Sequence, residues 1–302
     1  MASMRDIKRR RESIQSTSQI TKAMKLVSTV KLQHAKGRAE ETKPYFDKMY
    51  ETVSGMLSRS GNVDHPLLSE REKTGNRKKG VILISSNRGL AGGYNSNIVK
   101  LVTQGDFPVE DTIVFPVGRK GMESVQRLGY TCQGDYSEVM NNPLFGDAVS
   151  IGKTVVSALE SGEIDEVYLA YTVFKNTVTH IPTLIKLLPF TQEDIQSMEE
   201  AAKTEESDAE DGAKKAGALM NYEPEESETL GYIIPMYMNS LIFGALVEAV
   251  ASENGARMQA MDSATSNAEE MIDKLGLLYN RARQSAITQE LTEIVAGASA
   301  IE

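Results

Sequence analysis

The sequence predicts an α/β fold in which a small α/β domain is combined with two long terminal helices that pair antiparallel as a coiled coil. Both ends of the chain keep a helical spacing of apolar side chains, whereas the middle alternates strand-like and helical segments. The 302 residues are 40% hydrophobic, which is enough for a core without disulfides. The single cysteine excludes an intramolecular disulfide framework and a cysteine-based zinc site.

The first predicted domain, residues 1–60, is one long helix that would extend roughly 80 Å at the helical rise. Between residues 1 and 38, ten basic side chains face two acidic ones, which is typical of a solvated or partner-facing helix. The predicted apolar stripe is narrow and suits one helix partner better than a globular core. It consists of Ile7, Ile14, Ile20, Met24, Val27 and Val30.

The second predicted domain, residues 78–190, is a small Rossmann-like α/β layer. Strands are predicted at 81–84, 112–117, 166–171 and 178–188, and helices at 95–103, 120–128 and 148–160. Strands that alternate with helices indicate a layered sheet, and the short link between the last two strands indicates a hairpin at its edge.

An acidic insertion or linker is predicted at residues 191–226, and it could hold a short strand near residues 219–223. From residue 193 to residue 228, thirteen acids face three lysines, so this stretch accounts for the net charge of −9. Its composition favours a tolerated insertion that is partly helical or disordered.

The last predicted domain, residues 227–302, is a helix with a seven-residue repeat, which signals a left-handed supercoil. The first set of repeat positions is Met261, Ala268, Leu275 and Ala282, and the second is Ala264, Met271 and Leu278. Many of these side chains are alanines, so the two terminal helices could approach closely. A paired rod of this kind suits a lever, tether or shaft better than a pocket.

Patterns that resemble enzyme motifs lack the context that their chemistry needs. Residues 146–154 nearly match a phosphate-binding loop, but the spacing is one residue too long and no strand precedes them. The Gly-rich segment 85–95 lies at a strand-to-helix junction without G-x-G-x-x-G, which favours a tight turn over a ligand site. Cys132 has no nearby histidine, and His34, His65 and His180 are scattered. We therefore predict no catalytic, cofactor-binding or metal-binding residue.

Two further classes are considered at this point. Residues 229–247 carry no formal charge, but Gly231, Pro235 and Asn239 interrupt them, so a buried helix is favoured over a transmembrane span. The basic N-terminus lacks aromatic side chains before Tyr45, which argues against nucleic-acid binding.

Three separated segments carry a resemblance to a known family. The run 279–298, the segment 20–25 (Ile-Thr-Lys-Ala-Met-Lys) and the Gly-rich segment 85–95 resemble the gamma subunit of F-type ATP synthases, in order and on the predicted elements. The resemblance implies that the terminal helices pass through a hexameric ring of alpha and beta subunits. It also implies that the α/β domain lies against the membrane ring of c subunits and beside the epsilon subunit. The chain would then be a non-catalytic rotor that couples ion flow to ATP synthesis and hydrolysis on beta.

The resemblance also implies roles for individual residues. The alternative for each residue is that it lies on a solvated helix face and contacts no partner. Arg283, Gln284 and Thr288 match positions that hydrogen-bond a catch loop on beta, and Arg257 would add a polar contact. Near the start, Met24 with Lys22 and Lys25 would lie where the shaft meets an acidic lever of beta. A foot on the c ring would include Tyr222 and Glu223.

The family pattern also bears on location and on what stays open. The family's first helix begins near Met4, which leaves no room for a transit peptide and favours a bacterial protein, peripheral on the cytoplasmic face of the cell membrane. Asn87 and Ala91 stand where the family commonly has Asp and Cys. The choice between protons and sodium ions is not encoded here. The alternative is a nucleotide-binding α/β enzyme with a coiled-coil dimerisation arm.

Overall fold

The computed structural model describes residues 4–57, 77–189 and 226–299. Helices and strands follow one another in the order α1 (Met4–Leu57), β1 (Lys79–Ile84), α2 (Tyr94–Thr103), β2 (Thr112–Val117), α3 (Arg119–Arg127), β3 (Thr131–Cys132), α4 (Phe145–Glu160), β4 (Glu166–Phe174), β5 (His180–Leu188) and α5 (Glu226–Ser299). Short 3-10 turns lie at Val109–Asp111 and Ser137–Asn141. The chain divides into two compact units, one of residues 1–30 with 257–302 and one of residues 31–256.

The sheet of the second unit has the order β3-β2-β1-β4-β5. Strands β1 to β4 pair in parallel, and β5 returns antiparallel to β4 as the predicted hairpin. The four predicted strands and three predicted helices are present with small shifts at their ends. Strand β3 was not predicted, because its two residues are too short to show any alternation.

Each face of the sheet has its own apolar core, since successive strand residues point to opposite sides. On one face, Ile82, Ile84 and Phe115 pack with α4 and with the parts of α1 and α5 that belong to this unit. On the other face, Val81 and Leu83 pack against α2 and α3. Helix α5 therefore enters the core of this unit through side chains such as Ile234, Met238, Ile242 and Leu246.

The other unit is a two-helix coiled coil, and its contacts establish the antiparallel pairing. Later residues of α1 meet earlier residues of α5: Arg11 lies over the Tyr279 ring at 5.6 Å, and the hydroxyl of Thr21 bonds that of Thr265 at 2.7 Å. The less exposed positions alternate by three and four residues on both helices. These positions are Met4, Ile7, Arg11, Ile14, Ser18, Thr21, Lys25 and Ser28 on α1, and Met261, Thr265, Ala268, Ile272, Leu275, Tyr279, Ala282 and Ala286 on α5. Met24, Thr29, Ala264 and Gly276 are half-buried beside them.

Part of the predicted seam is wrong. Ile20, Val27 and Val30 are more than half exposed, and Met271 and Leu278 also face outward. The seam positions that apolarity missed are polar or small, such as Ser18, Thr21 and Thr265. The predicted positions Ile7 and Ile14 on α1, and the first predicted set on α5, do lie in the seam. The hydrophobic pattern failed at the five exposed positions named above, where apolar side chains lie outside the seam.

Candidate functional site

The C-terminal part of α5 presents a bare helix surface. The seam ends at Ala286, and every side chain described from residue 287 to residue 297 is exposed. Four apolar side chains share one face of this segment at spacings of four, seven and eight residues, namely Ile287, Leu291, Ile294 and Val295. Exposed apolar side chains in one stripe mark a surface that a partner covers.

Of the predicted catch residues, Arg283 and Gln284 lie just before this segment and Thr288 lies within it, and all three are exposed. Gln284 and Thr288 are one turn apart and line a shallow, open, polar concavity of α5. The other lining residues are Arg281, Ser285, Gln289, Thr292 and Glu293. Arg283 is not among the lining residues, which follow one another along a single face of α5 at three- and four-residue spacings. The structure thus brings Gln284 and Thr288 together and adds Arg281 to them. Arg283 lies about 100° around the helix axis from Gln284 and about 140° from Thr288.

The predicted residues on α1 have three different surroundings. Lys22 is exposed, Met24 is half-buried, and Lys25 is a seam residue whose Nζ lies 2.5 Å from Oδ1 of Asp262. The side chains of this pair keep 39% and 57% exposure, so both remain accessible to water. On α5, Arg257 is half-buried and already interacts within the chain. Sequence reasoning did not anticipate that Lys25 has a partner in its own coiled coil.

Two predictions fall on residues that the structure does not describe. Tyr222 and Glu223, the predicted foot, lie outside the described residues, as does nearly all of the acidic insertion.

Helix α5 lies where an α/β protein of this type would bind a nucleotide. The strand order places the switch point between β1 and β4, whose carboxyl ends would frame a ligand crevice. There the Tyr94 hydroxyl donates to the backbone oxygen of Ala249 at 3.2 Å, and the Ser252 hydroxyl donates to that of Thr172 at 2.9 Å. The protein's own helix α5 therefore contacts this edge of the sheet, which argues against the nucleotide-binding alternative.

The two phosphate-loop-like segments are packed turns and helices. Asn87 bridges the Gly-rich segment to its neighbours, because its amide donates to the Ser137 oxygen at 2.6 Å and its carbonyl accepts from the Arg119 amide at 3.1 Å. In the segment 146–154, Gly152 lies inside α4, and a Cβ there would come within 2.0 Å of Asn239 Oδ1 on α5. This glycine permits close helix packing and does not cradle a phosphate.

Burial shifts the pKa of several titratable groups in the described part of the chain. Burial raises the pKa of the Cys132 thiol, which lowers its reactivity, and burial lowers the pKa of His180. Burial also raises the pKa of Glu248, and burial with the charge of Glu248 raises the pKa of Tyr171 to about 12. Within the described ranges, no three side chains of His, Cys, Asp or Glu are grouped as a metal site would need.

One helix in the described part of the chain is long and apolar enough to cross a membrane by length and composition. The stretch Gly231–Gly297 contains an 18-residue window with a mean hydropathy of 1.6, and 56% of that window is buried inside the protein. The contacts of α5 with the sheet account for this apolar composition, because core helices pass the same test.

Comparisons with known proteins agree with this architecture. A family model described as ATP synthase matches residues 3–301. The chain is 63% identical over 301 residues to the ATP synthase gamma chain of Lachnoclostridium phytofermentans, with all of both chains covered. It is 42% identical over 300 residues to the gamma chain of Acetobacterium woodii described as sodium ion specific, covering 99% of this chain and 98% of the relative.

Solved structures give the same result for the fold. A chain of the Euglena gracilis mitochondrial ATP synthase (OSCP/F1/c-ring) superposes with a TM-score of 0.66 at 18% identity, covering 99% of this chain and 94% of that one. A chain of the Tetrahymena thermophila enzyme (central stalk/c-ring) gives a TM-score of 0.55 at 25% identity, covering 81% of this chain and 99% of that one. The chain belongs to the ATP synthase gamma chain family.

Proposed function

We propose that the chain, a central-stalk rotor subunit, couples ion flow through a c ring to ATP synthesis and hydrolysis by rotating inside an alpha–beta hexamer. The observation that carries this proposal is the antiparallel coiled coil whose α5 end leaves the seam and presents bare polar and apolar faces. A helix pair with a thin seam encloses no pocket, so its side chains act on partners. Catalysis belongs to the beta subunits in this proposal.

The polar concavity around Gln284 and Thr288 is the proposed catch for a loop of beta. Its amide and hydroxyl groups offer directional hydrogen bonds that are individually weak, and such bonds can be broken and remade as the shaft turns. Arg283, about 100° around the helix from Gln284, adds a charge-assisted bond of greater strength from the other side of α5. The apolar stripe from Ile287 to Val295 would then lie against the inner wall of the hexamer.

The basic face of α1 is the proposed contact for an acidic lever of beta. Lys22 is exposed and carries its charge at the surface, so it supplies a long-range attraction. The Lys25–Asp262 pair contributes less, because the neighbouring carboxylate offsets its charge. Epsilon and the c ring are the further partners, and the place of action is the cytoplasmic face of a bacterial membrane, without a span by this chain.

The catch is tested by replacing Arg283 and Gln284 with Ala together, in a complex reconstituted with alpha and beta. Losing a charged hydrogen bond of about 2 kcal/mol predicts roughly a thirtyfold fall in rotation-coupled turnover, with Arg283 dominating. Circular dichroism should be unchanged, since both side chains are exposed. Gln259→Ala, at another exposed position of α5, is the matched control and should retain full turnover.

Wild-type turnover in the double variant, with helicity intact, would remove the catch assignment. The rotor assignment itself is tested with the isolated chain, which should neither bind ATP stoichiometrically nor hydrolyse it. Tight binding would restore the enzyme alternative.

A further inference from the structure

A buried hydroxyl pair crosses the coiled coil between Thr21 and Thr265. Their Oγ1 atoms lie 2.7 Å apart, and both residues are 8% exposed. Each hydroxyl also lies within bonding distance of a carbonyl of its own helix, Ser18 O at 3.0 Å and Met261 O at 2.8 Å. The two hydroxyls have two protons for these three contacts. One hydroxyl donates across the seam to the other, which in turn donates to the carbonyl of its own helix, and either threonine can be the donor across the seam.

Five of the sixteen seam positions carry side chains too small to distinguish one register from another. Ser18, Ser28, Ala268, Ala282 and Ala286 are small, so their layers bury little area and resemble one another in shape. A slip of one heptad keeps the three-four spacing on both helices and moves them by about 10 Å along the axis. Apolar packing in these small-residue layers alone would therefore leave neighbouring registers of the coiled coil close in energy.

Polar contacts, in contrast, are satisfied in one register. In the observed alignment Thr21 meets Thr265, Lys25 meets Asp262 one turn away, and Arg11 lies over Tyr279. After a one-heptad slip, the two threonines would face different layers and the crossing bond would be lost. A single buried polar residue in a coiled-coil seam specifies register in the same way, at some cost in stability.

We propose that the Thr21–Thr265 hydroxyl pair, supported by Lys25–Asp262, fixes the axial register of the coiled coil. The two threonines are positioning residues: they are buried between the two helices, and they determine the height of Gln284 and Thr288 relative to Lys22 on α1. The functional consequence rests on the proposed rotor function, whereas the register itself does not depend on it.

The register is measured as a distance in the full-length chain. Spin labels are placed at Gln19 and Asn280, which are exposed on α1 and α5, after Cys132 has been replaced by Ser. The two sites are offset along the axis, so a heptad slip changes the axial separation by about 10 Å. The test variant is Thr21→Val with Thr265→Val, which keeps the side-chain shape and removes both hydroxyls. Thr17→Val is the control, because the Thr17 hydroxyl is exposed and bonds its own helix at Ser13 O.

The double valine variant should give a second distance population displaced by about 10 Å, with unchanged helicity. The wild type, Thr17→Val and the double serine variant, which restores the hydroxyls, should each give one distance. A single wild-type distance in the double valine variant would overturn the proposal, and so would a second population in the double serine variant. If the valine pair melts the helices, Thr265→Val alone is measured against the same criterion.

A second readout separates the register from the rotor function. In the reconstituted complex, the double valine variant should lose rotation-coupled turnover in proportion to its displaced population, and the serine variant should recover it. If the double valine variant shows displaced distances with normal turnover, the register proposal stands and the proposed catch is contradicted. If the distances are unchanged, the register proposal is contradicted, whatever the turnover.

Discussion

Truncating Leu275 tests whether the coiled-coil seam has been assigned correctly. Leu275 is 9% exposed in the seam, whereas Leu278, three residues further along α5, is 52% exposed. The apolar repeat in the sequence places both leucines in the seam, whereas the structure places only Leu275 there. Comparing Leu275→Ala with Leu278→Ala therefore tests which of the two assignments is right. Leu277, which is 73% exposed, provides a second control on the same turn.

The expected difference follows from burial. Leu→Ala in a core costs 2–5 kcal/mol, and a thin seam with Ala268 and Ala282 one heptad away on either side can partly collapse, so we expect about 2 kcal/mol. That loss raises local opening of the coiled coil roughly thirtyfold. Leu278→Ala and Leu277→Ala should change the stability by less than about 0.5 kcal/mol.

Amide hydrogen exchange of the full-length chain measures these openings directly. In Leu275→Ala, protection of the coiled-coil amides in residues 4–30 and 257–297 should fall about thirtyfold, while the β-sheet amides keep their rates. Equal losses in Leu275→Ala and Leu278→Ala would refute the seam described above, as would a loss confined to Leu278→Ala.

Two further predictions concern the α/β unit. Gly118 has φ +103°, and a Cβ there would lie 2.1 Å from the backbone oxygen of Ser85. Gly118→Ala should therefore lower the unfolding free energy by about 3 kcal/mol in a denaturant titration. Gly37 lies at an open helical position, so Gly37→Ala should raise the unfolding free energy by about 0.5–1 kcal/mol. Burial raises the pKa of Glu248 above 4.5, so the folded protein binds this proton more tightly than the unfolded chain, and stability falls as pH rises from 4.5 through the folded pKa. Glu248→Gln should therefore be more stable than the wild type at pH 7, and this advantage should disappear below pH 4.5; an advantage independent of pH would contradict the burial effect.

Elements long enough to show a clear period of apolar residues could be predicted from the sequence. The run Val81–Ile84, the strand that begins at Thr112 and the hairpin after β4 were found because apolar strands and helices have different periods. The two terminal helices were found for the same reason. Strand β3 was missed because its two residues carry no period.

The side-chain level was less predictable, because partners distant in sequence decide it. Ile20 and Val27 were placed in the seam on apolarity, yet Thr21 and Lys25 are there, and each is satisfied by a residue more than 230 positions away. No local pattern reveals such pairs. The three-four spacing of Ile14, Ser18, Thr21, Lys25 and Ser28 was the available signal, and polar side chains obscured it.

Helix α5 passes the switch point of the sheet, and this contact has a mechanical consequence for the α/β layer. Tyr94 and Ser252 tie this helix to the layer, at the edge where related folds would accommodate a small molecule. Because hydrogen bonds hold α5 to both α2 and β4, rotation of α5 about its own axis would break them. The layer therefore holds α5 mechanically, and this edge of the sheet is where twist applied to α5 is resisted.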